Sequence, residues 1–169
     1  MQIKSRNINI QKFQKRNIDK EYLYFLNYKN SFEYSSRKNQ KFTLDNCIKY
    51  LNTFKNTKNL FLRITDKNKN FIGTCTVYID KINQKANLGF WIANKQRRNE
   101  GYGSETLKLL KKHLFKKKNI NKISCGTISL NKPMIEVSLK NNFKFEATLK
   151  KEKKIGNKFY DIKIYSIIK

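Results

Sequence analysis

Residues 88–105 constrain this chain more than any other stretch. Leu88-Gly89-Phe90-Trp91-Ile92-Ala93 is apolar and of strand length. It feeds a basic loop, Gln96-Arg97-Arg98-Asn99-Glu100-Gly101-Tyr102-Gly103, and a helical pattern begins at once, with Leu107, Leu110 and Leu114 on one stripe. Strand, basic glycine loop and helix in that order make an anion site. Successive backbone N–H groups at the positive end of a helix can wrap a pyrophosphate. Gly101 and Gly103 let the backbone approach phosphates with no Cβ in the way, and Arg97 and Arg98 add charge.

Two other phosphate loops are excluded by spacing. A dinucleotide fingerprint needs a third glycine where Thr106 stands, and an acidic residue about 20 positions on, where residues 119–124 hold none. A Walker A loop needs a lysine entering the helix, and Gly103-Ser104-Glu105 lacks it. Read alone, Gly-x-Gly is weak evidence, and a simple glycine-containing helix start is the competing, less favoured reading.

The flanking pattern sets the fold class. Residues 1–10 alternate weakly and read as a first strand. Residues 19–28 read as a helix capped by Asp19, with Tyr22, Leu23, Phe25 and Leu26 apolar. Residues 31–42 are polar and aromatic and read as irregular. Thr43 caps a second helix carrying Leu44, Cys47, Ile48 and Leu51. Strands over 59–65, 71–80 and 86–93 with short turns make an antiparallel meander. A helix over 104–117, a strand over 122–128, and a helix over 132–140 with Pro133 in its first turn follow. Two strands close the chain, with Phe143, Phe145, Ala147 and Leu149 expected to face inward. The prediction is an α/β (α+β) chain: one domain over residues 1–169, with a mixed, mostly antiparallel seven-stranded sheet and helices on both faces.

Composition narrows the class of function. The chain is 38% hydrophobic, too apolar for a disordered chain. No apolar run approaches the roughly 20 residues of a membrane span, and residues 1–17 lack the apolar centre of a secretory signal. Cys47, Cys75 and Cys125 are dispersed and odd in number, which suits a reducing cytoplasm. The net charge of +26 has two readings. One is phosphate-directed nucleic-acid binding. The other is codon bias, since lysine dominates arginine, lies along the whole chain and accompanies abundant Asn and Ile. The second is favoured; no aromatic-interleaved basic stripe accompanies the charge.

Arg98-Asn99-Glu100-Gly101-Tyr102-Gly103 resembles the Arg/Gln-x-x-Gly-x-Gly/Ala signature of GNAT acetyltransferases, at the position where that family carries it. Residues 88–92 and 101–105 are similar to the branch containing ribosomal-protein N-terminal and amino-sugar acetyltransferases. The helix Glu21-Tyr22-Leu23-Tyr24-Phe25-Leu26-Asn27, Thr43 after it, Asn131 before Asn142-Phe143, and the closing Tyr160-Asp161 also resemble it. Asn142 departs from the family's glycine, a mild change because Asn tolerates a left-handed backbone. Asn94 stands where proline or aspartate is common. Ser138 stands where many members carry a tyrosine that protonates the leaving thiolate.

The resemblance implies an N-acetyltransferase that uses acetyl-coenzyme A as co-substrate and no metal. It implies cofactor contacts from Trp91, Ile92, Ala93, Arg97, Arg98, Asn99, Glu100, Gly101, Tyr102, Gly103, Ser104 and Asn131. Backbone N–H groups near Ile92 and Ala93 would polarise the thioester carbonyl. Glu33 is the preferred candidate base over Glu100 and Glu136, and Ser138 is the candidate acid, set against a helix serine with no role. Asn27, Tyr34 and Arg37 lie in the segment that lines the family's acceptor site, and Arg37 suits an anionic acceptor. His113 reads as a surface residue. The acceptor expected is a small-molecule amine such as a nucleotide-linked amino sugar. A protein N-terminus is the second reading, and a non-catalytic nucleic-acid module a third of a different class. The expected setting is cytoplasmic, as monomer or homodimer.

Overall fold

The computed structural model describes residues 1–29, 31–37, 40–93, 97–98 and 100–169. Eight strands join one sheet: β1 (Gln2–Lys4), β2 (Ile8–Lys12), β3 (Leu60–Asp66), β4 (Phe71–Asp80), β5 (Lys85–Ile92), β6 (Lys122–Ile128), β7 (Lys144–Ile155) and β8 (Lys158–Ile168). Their order across the sheet is β1-β2-β3-β4-β5-β6-β8-β7. Only β5 and β6 pair in parallel; every other neighbour is antiparallel. The helices are α1 (Lys20–Asn27), α2 (Leu44–Asn52), α3 (Tyr102–Lys117) and α4 (Lys132–Lys140).

The eighth strand comes from the N-terminus. The single strand expected over residues 1–10 is a hairpin, because the Ser5 hydroxyl accepts from the Ile8 N–H and turns the chain. Glu105 of α3 then ties the turn down, accepting from Ser5 at 2.5 Å and Asn7 at 3.1 Å.

Local chemistry starts and stops the helices. The Asp19 carboxylate accepts from the Tyr22 N–H at 2.8 Å, and Thr43 and Asn46 form a reciprocal capping box. Asn131 caps α4, with Pro133 in its first turn. At the far end Asn142 takes a left-handed φ of 66°, and the Phe143 and Asn142 N–H groups close back on the Ser138 and Leu139 carbonyls.

The sheet is sandwiched. Alternation along β3 sends Leu62 and Ile64 to one face and Phe61 and Arg63 to the other. Leu62 and Ile64 pack with Leu107, Leu110 and Leu114 of α3, all fully buried. Each such leucine contributes about 1.5–3 kcal/mol on removal from water. Phe61 packs with Tyr22 and Leu26 of α1 and Cys47 of α2. Arg63 is only 6% exposed; it pairs with Asp19 and Glu21 and lies 4.7 Å over the Phe71 ring. Cys75 and Cys125 are buried in the α3 face. The inward set on β7 needs correction. Phe143 is buried, but Phe145 is 55% and Leu149 43% exposed, because β7 is the sheet edge, beyond the helices. Among the described residues no helix is long and apolar enough to cross a membrane.

Candidate active site

The site is where the sheet opens. β5 and β6 are paired only from Lys85↔Lys122 to Leu88↔Cys125. Beyond that, β5 follows β4 while β6 follows β8, so residues 89–92 and 126–128 diverge. A cleft of about 1250 Å³ occupies the gap. The Ala93 N–H points away from the gap and donates to the Ile72 carbonyl at 2.8 Å. Strand alternation therefore directs the Phe90 and Ile92 N–H groups into the gap. Of the two groups expected to polarise a carbonyl, the Ile92 N–H faces the gap, whereas the Ala93 N–H is committed to the sheet.

The start of α3 forms one wall. Gly101 has φ 85°, a left-handed conformation that disfavours any Cβ. No side chain caps the helix, and its first backbone bond is Glu105 N–H to Gly101 carbonyl. The N–H groups of Tyr102, Gly103 and Ser104 thus lack helical partners at the positive end of a 16-residue helix. A Cβ on Gly103 would stand 3.4 Å from the Phe90 ring and 3.9 Å from Ile92, so glycine is not required there by protein packing. An open backbone with uncapped donors fits a pyrophosphate.

The two loop arginines differ. Arg97 reaches Asp66 at 2.7 Å, stacks 4.8 Å over the Tyr102 ring, bonds its hydroxyl, and meets Glu100 at 3.4 Å. It braces the loop against the β3–β4 turn instead of presenting a free charge to the cleft. Asp66 is buried; burial raises its pKa, but hydrogen bonds from Arg97, Asn70 and the Asn68 and Asn70 N–H groups outweigh that and hold it low. Arg98 contacts Glu33 at 3.5 Å and the Ile92 carbonyl at 3.4 Å. The Ser104 hydroxyl accepts from Asn141 at 2.9 Å. Asn131 borders the cleft while its side chain caps α4. Asn94, Gln96 and Asn99 lie outside the described residues.

The other wall is the segment between α1 and α2. Trp91 donates from its indole N–H to the Ser31 carbonyl at 3.1 Å, and Phe32 stacks on it at 4.9 Å and 17°. Glu33 and Tyr34 face the cleft beside them; burial and the Glu33 carboxylate push the Tyr34 phenol up. The exposed Arg37 borders the cleft with its guanidinium 5.3 Å from the Tyr50 ring centre. Asn27 is elsewhere. Its amide donates to the Leu23 and Phe42 carbonyls and accepts from the Phe42 N–H, so it fastens α1 to the lead-in of α2.

Residues 9–144 match the family model for the acetyltransferase (GNAT) domain. The chain belongs to the GNAT acetyltransferase family. No curated protein sequence matches it. Solved structures share the fold. RimL, a ribosomal L7/L12 α-N-protein acetyltransferase in complex with coenzyme A, superposes with TM-score 0.89 at 15% identity, covering 99% of this chain and 98% of that one. The microcin C7 self-immunity acetyltransferase MccE, in complex with acetyl-CoA and AMP, gives 0.87 at 19% identity, covering 98% and 94%. Spermidine N-acetyltransferase from Vibrio cholerae, in complex with coenzyme A and spermine, gives 0.84 at 17%, covering 95% of each.

Within this GNAT domain Ser138 does not border the cleft. It is fully buried; its hydroxyl donates to the Met134 carbonyl at 2.9 Å and lies 3.4 Å from the Cys125 sulfur. A helix serine bonded to the carbonyl four residues back is held by its own helix. His113 also stands outside the cleft lining; it is half-buried, and burial lowers its pKa. Among the described residues no cluster of His, Cys, Asp or Glu could hold a metal. Sequence reading missed Asp66 and Gly73. A Cβ on Gly73 would lie 2.0 Å from the Trp91 carbonyl oxygen, beside a register slip at residues 64–65 where β3 passes over Ile72. Glycine inside a strand was the available signal for that close approach.

Proposed function

We propose that this GNAT domain is an acetyl-coenzyme A-dependent N-acetyltransferase whose acceptor is a small-molecule primary amine bearing an anionic group, such as a nucleotide-linked amino sugar. The observation that carries the reading is the cleft itself. One wall holds uncapped donors at the start of α3, and the other holds aromatic faces and Arg37. Binding of coenzyme A or acetyl-CoA by the fold neighbours supports the cofactor assignment.

Acetyl-coenzyme A supplies an acetyl group activated as a thioester. The N–H groups of Tyr102, Gly103 and Ser104 hold its pyrophosphate. The Phe90 and Ile92 N–H groups receive the charge that develops on the acetyl oxygen as the amine attacks. Glu33, directly or through one water, takes the proton that an ammonium must lose before it can attack. Arg37 meets the acceptor's anionic part. A thiol leaves readily enough, with pKa about 8.5 for a free cysteine, that transfer proceeds without Ser138 and without a covalent enzyme intermediate.

A protein N-terminus is the second acceptor, favoured by the cleft's continuation along β7 and β8 at Leu149 and Ile162, which gives an extended chain somewhere to lie. Thermal stabilisation by acetyl-coenzyme A, followed by thiol release over nucleotide-linked amino sugars, spermidine, aminoglycosides and short peptides, tests the assignment. The highest kcat/KM should fall on a nucleotide sugar; a peptide in that place would select the second acceptor. No stabilisation at millimolar acetyl-coenzyme A, with steeply salt-dependent RNA or DNA binding, would instead mark a nucleic-acid module.

A further inference from the structure

The cleft runs on past the sheet opening, over β6, β8 and β7, where Gly126, Ile162, Leu149, Glu152 and Lys153 border it. The last strand pair is irregular there. Leu149 pairs with Ile162 and Lys153 with Tyr160, so residues 150–152 of β7 stand against Asp161 alone. Asp161 pins this bulge. Its carboxylate accepts the Lys151 N–H at 2.9 Å and the Lys150 ammonium at 3.1 Å. Lys151 takes a left-handed φ of 50°, which a residue with a side chain seldom adopts. The two extra residues keep the strand's alternation in phase, so Leu149 and Lys153 share the face that borders the cleft. The bulge bends the strand and re-aims its side chains.

Lys153 differs from the lysines around it. Lys144, Lys150, Lys151, Lys154 and Lys158 are exposed. Lys150 is paired with Asp161, and Lys154 lies 5.7 Å from the Phe159 ring centre. Lys153 is half-buried, and among the described residues no carboxylate pairs with it. The adjacent Glu152 is exposed, where water and salt screen its charge. A half-buried ammonium in a stretch of cleft bordered by apolar Leu149 and Ile162 is screened less and gains more from an anion.

We propose that Lys153, held in place by the Asp161 bulge, is a specificity-determining residue that binds a phosphate of the acceptor from the β7 side of the cleft. Arg37 stands on the opposite wall, between α1 and α2, so the acceptor's anionic part meets a cation from each side. The same lysine disfavours a polyamine, which offers it only like charge. Asp161 touches no substrate; it is a positioning residue that acts through Lys153. This inference rests on the acetyltransferase reading given above.

Three probes test it with the full chain at saturating acetyl-coenzyme A: glucosamine, its anomeric phosphate ester, and spermidine. The first two carry the same amine and differ by one phosphate. The wild type should favour the phosphate ester in kcat/KM by about tenfold or more, as for a bond between charged groups. Lys153→Met should erase most of that preference through KM, leave kcat within about twofold, and raise kcat/KM for spermidine. Lys153→Arg, which keeps the charge, should retain the preference. Asp161→Ala should raise the KM for the phosphate ester, and Asp161→Asn, whose amide oxygen still accepts the Lys151 N–H, should recover it. Calorimetry should give a coenzyme A Kd within about twofold of wild type for every variant, and melting curves identify any that fails to fold. A wild type that binds coenzyme A without preferring the phosphate ester overturns the proposal, as does a preference that survives in folded Lys153→Met. Absence of coenzyme A binding in the wild type overturns the acetyltransferase reading itself.

Discussion

Arg97 and Asp66, 31 residues apart, meet at 2.7 Å and lock the loop before α3 onto the turn between β3 and β4. The same carboxylate receives the Asn68 and Asn70 N–H groups and the Asn70 amide, each at 2.9 Å. A single buried acid thus closes a hairpin and anchors Arg97 of the loop before α3.

Asp66→Asn should therefore cost about 1.5–3 kcal/mol, the range for hydrogen bonds to a charged group, and weaken coenzyme A binding. The effect depends on pH with a definite sign. The folded-state pKa lies below the unfolded value of about 3.9, so the acid stabilises fully above that value and loses its contribution as the pH falls through the folded pKa. Urea midpoints should differ most between wild type and variant near about pH 6, and converge on acidification below about pH 4. A difference that stays constant over that range would contradict the assigned role.

Gly103→Val should abolish coenzyme A binding while leaving the fold intact. The nearest group to a Cβ there is the Phe90 ring, at ordinary contact distance, so lost affinity would come from crowding the phosphates. Coenzyme A titration and melting curves, run together, check both halves; undiminished affinity would remove this loop as the phosphate site.

Gly73→Ala should behave in the opposite way. Its Cβ would collide with the Trp91 backbone oxygen at 2.0 Å, which no rotamer change relieves. Separating β4 from β5 should cost about 1–3 kcal/mol or more and disturb the strand edge that faces the cleft. A melting temperature equal to wild type would show that the two strands are less closely bound than described.

Ser138→Ala should change kcat by no more than a few-fold, since the hydroxyl is turned to Met134 and Cys125. Steady-state kinetics with saturating acetyl-coenzyme A decide it. A loss near a thousandfold would place Ser138 at the leaving thiolate.

Much of this protein was legible in its sequence, and the legible parts share a physical origin. Asp19 and Thr43 cap helices by bonds to N–H groups three residues away. The Leu107-Leu110-Leu114 stripe and the β3–β5 meander follow from side-chain periodicity. The loop at Gly101 needs only a left-handed residue before a helix. Such signals are short in range, so neighbouring residues suffice to state them. Tertiary structure decided the rest. It paired Arg97 with Asp66 and Arg98 with Glu33, set Ser138 against Cys125, gave Asn27 to the Phe42 backbone, and tied the Ser5 turn to Glu105. Each depends on which groups the fold brings together from 13 to 100 residues apart. Two adjacent arginines of identical chemistry thereby took different partners, one within reach of a buried acid and the other within reach of a half-buried one.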